Sequence, residues 1–368
     1  MGKRLSLTIL FLMVTFYSAW SINVDSLLNK IPKFNFFFVP TFSFQQDLGH
    51  VYGLSGGYYF RFIDPTKISN FTFSQTFTQK GQYMSNFSPL LYLGGTGKWA
   101  LSGNLSVQKY PNAFRGTGNV QSRLLQFPIT YTSHNFSFNI QFQRFIDKHI
   151  SFGVQLAMHK EKTYLVDSLR SRAMNYQITG WNPYFLLGLG AVLTIDSRNN
   201  LFYPTKGILS SASLVHYDPI WGSTYNIVQF AFDFRQYIAL YKEHVFAWQF
   251  VTDWRLGNAI PFQMLTTVGG DLMLRGIPEG VYRDNVMAAI QGEYRFPIYK
   301  VLRGAAFLST GDVCNSQDFN IDRLKVSYGA GIRFRITRGK INVNGRWDIT
   351  RNNYDKGFQF FLTALEAF

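Results

Sequence analysis

The 368 residues carry a formal net charge of +15 at pH 7, and 18% of them are aromatic, yet the mean hydropathy is near zero. Beyond the N-terminal stretch, no apolar run is long enough to cross a bilayer as a helix. No linker-like tract divides the chain, and the single cysteine, Cys314, excludes an intramolecular disulfide. Heavy aromatic use without helical spans indicates a closed β-barrel, in which every backbone polar group pairs between strands.

Residues 1–21 have the form of a cleaved export signal. Lys3 and Arg4 precede an uncharged apolar stretch, and the small residues Ala19 and Ser21 suit a cleavage site. The stretch is short for a membrane anchor, and nothing like a stop-transfer signal follows it. We therefore expect export to the outer membrane of a Gram-negative cell. There the basic excess suits outer-membrane lipid and lipopolysaccharide, and nucleic acid is not expected as a partner.

Apolar and polar side chains alternate along most of the remaining chain. In NFSFNIQFQRF (135–145), Phe and Ile share one face and Ser, Asn and Gln the other. In VSYGAGIRFRI (326–336), Arg333 and Arg335 lie on the face opposite the aromatic residues. This period of two is typical of strands with one apolar and one wet face. We expect the aromatic face to meet lipid and the charged face to line the lumen.

The predicted fold class is all-β, a transmembrane antiparallel β-barrel of sixteen strands. Residues 122–131 could form a further strand, but bacterial single-chain barrels have even strand numbers, so we predict sixteen. We expect three parts in the chain: a signal peptide at 1–21, a short N-terminal periplasmic segment at 22–34 and the barrel at 35–368. The predicted strands are 36–44, 51–62, 69–79, 82–93, 97–108, 134–146, 149–160, 184–195, 206–217, 226–239, 243–255, 286–298, 302–311, 325–336, 340–350 and 357–367.

The lengths of the predicted connections give the orientation. Long connections at 109–133, 161–183, 256–285 and 312–324 all follow odd-numbered strands, whereas those after even-numbered strands are short. Outer-membrane barrels have short periplasmic turns and longer external loops. The pattern therefore predicts that both termini lie in the periplasm.

The sequence contains no convincing enzymatic or metal-binding motif. GLSGG (53–57) satisfies G-x-S-x-G but lies inside an alternating strand, whereas a nucleophile elbow needs a strand-turn-helix bend. The six His are scattered without the spacing of metal ligands. We expect no catalytic residues, no metal and no cofactor.

Several motifs in the second half carry a family resemblance. DSRNNLFYPTKG (196–207) precedes strand 9, FLSTG (307–311) lies on strand 13, and Phe368 ends the sequence. The loop between strands 11 and 12 holds a further motif and is followed by DNVMAAIQGEYRFPIY (284–299). The residues of this loop motif are Gly269, Gly270, Leu274, Arg275 and Gly276.

With these motifs, the sequence resembles the BamA/TamA superfamily of outer-membrane assembly factors and two-partner secretion transporters, the bacterial surface antigen family. The clear part of the resemblance covers about residues 184–368. It implies a sixteen-stranded barrel in which the loop after strand 11 folds back into the lumen.

An arginine inside a lumen needs fixed acceptors, because it offers five donors and cannot be deprotonated. We propose Glu293 on strand 12 as the partner of Arg275, since the alternation places Glu293 and Arg295 on one face. The family also supplies an Asp on strand 13 in a Phe-x-Asp-x-Gly pattern. The matching residues here are Phe307, Ser309 and Gly311, and Ile277 replaces the aromatic residue that follows Arg-Gly in the family. We therefore expect the loop anchor to keep one carboxylate instead of two.

The C-terminal residues resemble the signal by which barrels are delivered for insertion. The residues concerned are Phe358, Phe360, Leu362 and Phe368, although Glu366 interrupts the apolar row. Such a signal describes how the protein is made. It does not describe what the protein does.

The resemblance implies a role in outer-membrane protein assembly and insertion or in polypeptide translocation. Characterised relatives carry periplasmic receptor domains, for which residues 22–34 are too few. We expect unfolded outer-membrane or exported polypeptides as clients, handled by the barrel alone, as a homodimer, or with a separate periplasmic or lipoprotein partner. Pro40 in strand 1 suits either a weakly paired edge or a local bulge. The alternative function is an anion-favouring transport pore or a structural barrel subunit of a larger outer-membrane complex.

Overall fold

The computed structural model describes residues 36–45, 49–60, 67–94, 98–119, 128–165, 178–200, 203–270, 272–299, 301–315, 320–338, 341–353, 359–364 and 368. The predicted signal peptide at 1–21 and the segment at 22–34 lie outside these residues. Within them, sixteen antiparallel strands form one sheet in which each strand pairs with the next along the chain.

The sheet confirms the predicted sixteen strands. They are β1 (Phe36–Gln45), β2 (Gly49–Phe60), β3 (Ser69–Thr78), β4 (Tyr83–Leu93), β5 (Trp99–Phe114), β6 (Ile129–Phe145), β7 (Ile150–Tyr164), β8 (Tyr184–Asp196), β9 (Gly207–Tyr217), β10 (Ile227–Ala239), β11 (Val245–Leu256), β12 (Val286–Tyr299), β13 (Leu302–Cys314), β14 (Lys325–Arg338), β15 (Ile341–Asn352) and β16 (Gln359–Ala364). Outside the sheet, Thr266–Thr267 pairs with Arg283–Asp284, and Pro219–Trp221 and Ile321–Arg323 form 3₁₀ turns.

In the described part of the chain, no helix has the length and apolar character needed to cross a membrane.

Alternating burial separates the two faces of the sheet. On β15, Arg346, Asp348 and Thr350 are buried, whereas Trp347 and Ile349 between them are 49% and 38% exposed. Apolar side chains left open on the outer face belong to a barrel whose solvent on that side is lipid. The buried polar face is the lumen.

The predicted strands are too short on one side of the barrel. The β5–β6 ladder continues to the pair Phe114 and Ile129, and β7 runs to Tyr164. The predicted connections at 109–133 and 161–183 therefore shrink to 115–128 and 165–183. Beyond the lipid belt a strand no longer needs apolar residues on its outer face, so the alternation fades while backbone pairing continues.

The connection at 257–285 folds into the lumen, as the sequence predicts. Its apolar residues pack against Ala289 of β12 and Val313 of β13. Arg283 in the same connection pairs through its backbone with Gly118, which follows β5. The buried apolar residues that the connection contributes to this cluster are Val268, Leu274, Ile277, Val281 and Tyr282. The connection thus forms a small apolar core inside the lumen.

Candidate functional site

The segment around Arg275 is a tight turn closed by backbone hydrogen bonds. Gly270 N donates to Ile277 O at 2.8 Å, and Gly276 N donates to Gly270 O at 3.2 Å. Gly276 has φ +95°, and a Cβ there would overlap Thr350 Oγ1. Glycine is needed at this position both for the left-handed backbone and for the close approach to β15.

The turn presents the Arg275 side chain to two carboxylates. Nη2 donates to Glu293 Oε2 at 2.8 Å, and Nη1 donates to Asp348 Oδ2 at 3.0 Å. The guanidinium carbon lies 3.9 Å from the centre of the Phe307 ring, and the Ser327 hydroxyl donates to the Arg275 backbone oxygen. Arg275, Glu293 and Asp348 have no exposed side-chain surface. The loop is therefore held by β12 and β15 through charge and by β13 through the ring.

Arg333 on β14 bridges the same two carboxylates from another strand. Its Nη1 donates to Asp348 Oδ1 at 2.5 Å, and its Nη2 donates to Glu293 Oε2 at 3.0 Å. Glu293 Oε2 thus accepts from the loop and from β14 at once. The two acidic side chains tie together three strands and the loop.

Two further arginines surround this centre. Arg295 Nε donates to Glu293 Oε1 at 2.7 Å, and Arg346 Nε lies 3.6 Å from Asp348 Oδ2. We call these six side chains the lumen ion network: Arg275, Glu293, Arg295, Arg333, Arg346 and Asp348. None has more than 1% of its surface exposed.

The charge balance of the lumen ion network explains why the loss of one charged side chain is costly. Four guanidinium groups face two carboxylates, so each carboxylate is shared. Removing one partner from a buried ion pair leaves an uncompensated charge, which costs about 3–5 kcal/mol. The network therefore fixes the position of the loop more firmly than surface ion pairs could.

The structure places Glu293 beside Arg275, but the expectation of a single carboxylate is wrong. Asp348 on β15 supplies a second carboxylate. The available signal was the polar face of GRWDIT (345–350), where Arg346 and Asp348 alternate just as Glu293 and Arg295 do on β12. The alternation identifies such a pair as facing the lumen but does not say which loop it meets.

The predicted β13 residues have separate roles. Phe307 stacks on Arg275. Ser309 is buried and donates to Ser327 O at 3.3 Å, while Gly311 lies against Ala289 of β12. Asp312 pairs with Lys325 at 2.6 Å.

Among the proposed C-terminal signal residues, Phe360 and Phe368 lie on opposite sides of the barrel wall. Phe360 is 63% exposed on the outer face of β16, and Leu362 lies in register with Trp347. Phe358 is outside the described residues. Phe368 is 4% exposed and packs in the lumen against Tyr237 and Ala247, apart from the outer apolar row. The role of these residues in delivery stays a prediction.

No group of three or more His, Cys, Asp and Glu side chains that could hold a metal ion occurs among the described residues.

A sixteen-stranded barrel with an arginine-bearing loop inserted in its lumen defines a class of outer-membrane barrels. Residues 54–364 match the Omp85 superfamily domain, and the chain belongs to that superfamily. Barrels of the Omp85 superfamily are outer-membrane proteins. Among curated proteins, none matches the sequence.

Three solved structures share the fold. BamA from Haemophilus ducreyi lacking POTRA domains 1-3 is 17% identical with a TM-score of 0.59, covering 90% of this chain and 70% of that one. CdiB from Acinetobacter baumannii is 14% identical with a TM-score of 0.57, covering 91% and 60%. CdiB from Escherichia coli is 11% identical with a TM-score of 0.59, covering 91% and 63%. The chain thus spans 60% to 70% of the length of these structures, and at these identities the likeness concerns the fold.

Proposed function

We propose that this barrel acts in the assembly and insertion of outer-membrane proteins or in the translocation of polypeptides. The observation that carries the proposal is the lumen-inserted loop, whose Arg275 is shared between Glu293 and Asp348 in a fully buried network. Fully buried ion pairs hold this loop against β12 and β15, and breaking them is costly, which suits a barrel that is closed at rest. In this proposal the loop stabilises the closed state, and a polypeptide client shifts the barrel towards an open one.

The opening is proposed to lie between β1 and β16, the two terminal strands of the sheet. The described β16 has six residues, and Pro40 in β1 lacks the N–H that a ladder requires. The lumen ion network holds β12, β14 and β15, which lie on the C-terminal side of this seam. A firm frame beside a weakly paired edge allows the edge to part while the rest of the barrel stays intact.

Orientation and partners are part of the same proposal. Long connections such as 257–285 follow odd-numbered strands, and short turns such as 146–149 and 240–244 follow even-numbered ones, which supports periplasmic termini. We propose unfolded polypeptides as clients, with a periplasmic or lipoprotein partner on a separate chain or a second copy of the barrel.

Locking the proposed seam tests this function. Cysteine pairs scanned along β1 and β16, in a background where Cys314 is replaced by Ala, should abolish client assembly when oxidised and restore it when reduced. A pair placed between β4 and β5, which stay together in this proposal, is the matched control. A seam-locked barrel with full activity would contradict the proposal.

Depletion separates the proposal from a transport pore. An assembly or translocation barrel predicts that unfolded clients accumulate in the periplasm when the protein is depleted. If clients remain normal while the barrel without its lumen loop conducts anions across planar bilayers, the transport pore is the better account.

A further inference from the structure

A pocket in the lumen wall holds Phe368. The ring packs against Tyr237 of β10 and Ala247 of β11, both of which are buried. Arg295 of β12 donates from Nη2 to the Phe368 backbone oxygen at 3.1 Å, and its guanidinium carbon lies 5.6 Å from the ring centre. One residue is thus recognised twice, through its aromatic ring and through its backbone.

The walls of the pocket are held by contacts that do not involve Phe368. Arg295 is fixed by Glu293 at 2.7 Å and lies 5.7 Å from the Tyr203 ring. Tyr203 in turn accepts from Arg303 Nη1 at 3.2 Å through its hydroxyl, and its backbone N donates to Asn200 Oδ1 at 3.0 Å. A site whose groups are already oriented binds a ligand without first having to be ordered.

The ring of Phe368 packs against strands that are not neighbours of β16 in the sheet. Ala364 is the last residue of β16 and pairs with Gly345 of β15. Four residue steps span at most about 14 Å of extended chain. Yet Phe368 contacts β10, β11 and β12, on the far side of β13 to β15. Phe368 therefore lies in the lumen and does not continue the outer face of β16.

We propose that this pocket is a binding site for an aromatic residue of an extended polypeptide, occupied here by Phe368 of the same chain and available to a client once Phe368 leaves. The inference rests on the proposed function, since it names the client chemistry: an aromatic residue that offers its ring and its backbone oxygen together. Tyr237 and Ala247 accept the ring, and Arg295 meets the ring and a backbone oxygen. Because Arg295 also holds Glu293, occupancy of the pocket is connected to the Arg275 loop.

Peptide binding to the purified barrel tests the pocket directly. The probe is a fluorescent peptide TALEAF, residues 363–368, which is too short to replace β16, and its partner is TALEAA. We expect TALEAF to bind Phe368→Ala protein at least tenfold more tightly than wild-type protein in fluorescence anisotropy, and TALEAA to bind neither. Phe152→Ala on β7 is the matched control, because it removes the same side chain from the lipid-facing surface and should behave as wild type. Equal binding to all three proteins, or no preference for TALEAF, overturns the proposal.

A second measurement applies if Phe368→Ala fails to fold. Wild-type barrel is irradiated with excess TALEAF that carries a photoreactive group on its Phe ring. Crosslinks within 237–247 or at Arg295, competed by TALEAF and not by TALEAA, support the pocket. Crosslinks confined to other strands overturn it.

The outcomes separate the pocket from the proposed function. If client assembly is normal in depleted cells and TALEAF still binds selectively, the pocket proposal is supported and the proposed assembly role is contradicted. If clients accumulate on depletion but TALEAF does not bind, the proposed assembly role is supported and the pocket proposal is contradicted.

Discussion

Arg275 Nη1 and Asp348 Oδ2 lie 3.0 Å apart, although 73 residues separate the two positions in the sequence. The contact joins the loop after β11 to β15, the strand that pairs with β16. With Glu293 on the other nitrogen, the guanidinium spans the lumen face of β12 to β15. A planar fork suits this double contact, since its donors are fixed relative to one another.

Asp348→Asn should destabilise the barrel strongly. Asp348 accepts from Arg275 and Arg333, so its loss leaves four buried guanidinium groups with one carboxylate. We expect a loss of about 3–5 kcal/mol in the free energy of unfolding. Urea unfolding in detergent micelles, followed by tryptophan fluorescence, measures it.

Asp253→Asn is the control for that variant. Asp253 also faces the lumen and pairs with an arginine, Arg255, but its side chain is 22% exposed. Water replaces the lost contact there, so we expect at most about 1 kcal/mol. Equal losses of unfolding free energy in the two variants would mean that burial of the lumen ion network does not increase its contribution to stability.

Arg275→Lys should release the loop while keeping its charge. A lysine ammonium cannot hold two carboxylates in a fork, and it loses the planar stack on Phe307. A charge-assisted hydrogen bond contributes about 1.5–3 kcal/mol, which corresponds to about ten- to hundredfold in the open population. Trypsin cleaves after either residue, so the cleavage rate at position 275 reports the opening directly.

Arg235→Lys controls for the change of side chain. Arg235 meets a single carboxylate, Asp233, at 2.6 Å and is 26% exposed. We expect cleavage at Arg275 to stay at the wild-type rate in this variant. Faster cleavage in both variants would point to general loosening of the barrel and not to the loop anchor.

The sequence predicted those features that depend on the alternation of side chains within a single strand. Alternation fixed the sixteen strands and the lumen face, and it brought Glu293 to Arg275 because that strand directly follows the loop. Asp348 was missed because its contact depends on the stagger of β15 against β12 and on how deep the loop reaches. The position of Phe368 could not be predicted either, since a residue beyond the last strand that packs inside the lumen follows no strand period.

Gly276→Ala tests the close approach of the loop to β15. Gly276 and Gly222 have almost the same φ, +95° and +96°. A Cβ at Gly222 meets nothing within 4 Å, whereas at Gly276 it overlaps Thr350 Oγ1. Both substitutions carry the left-handed strain, and Gly276→Ala should cost about 1–3 kcal/mol more through overpacking. Urea unfolding of the two variants gives the difference, and equal costs would mean that Thr350 moves aside.

Ser309→Asp should compensate in part for Asp348→Asn. Ser309 and Phe307 share the lumen face of β13, and the Ser309 hydroxyl donates to the oxygen of Ser327, whose own hydroxyl meets Arg275. A carboxylate there would face a network that has lost half of its negative charge. We expect the double variant to be more stable than Asp348→Asn alone, by a coupling of about 0.5–3 kcal/mol in a double-mutant cycle. Ser309→Asn has the same shape without the charge and should give no rescue.

Phe368→Ala should loosen the Arg275 loop although the two residues do not touch. Arg295 connects them, because Nη2 meets the Phe368 backbone oxygen and Nε holds Glu293 at 2.7 Å. When the tail leaves, Arg295 loses one of its fixed contacts, and Glu293 is then held less firmly for Arg275. Coupling of about 0.5–2 kcal/mol corresponds to about two- to thirtyfold faster trypsin cleavage at Arg275. Phe152→Ala, which removes a lipid-facing ring from β7, should leave cleavage unchanged. A tail variant that cleaves at the wild-type rate would show that the loop and the tail are held independently, and Arg295 would then be only a wall of the pocket.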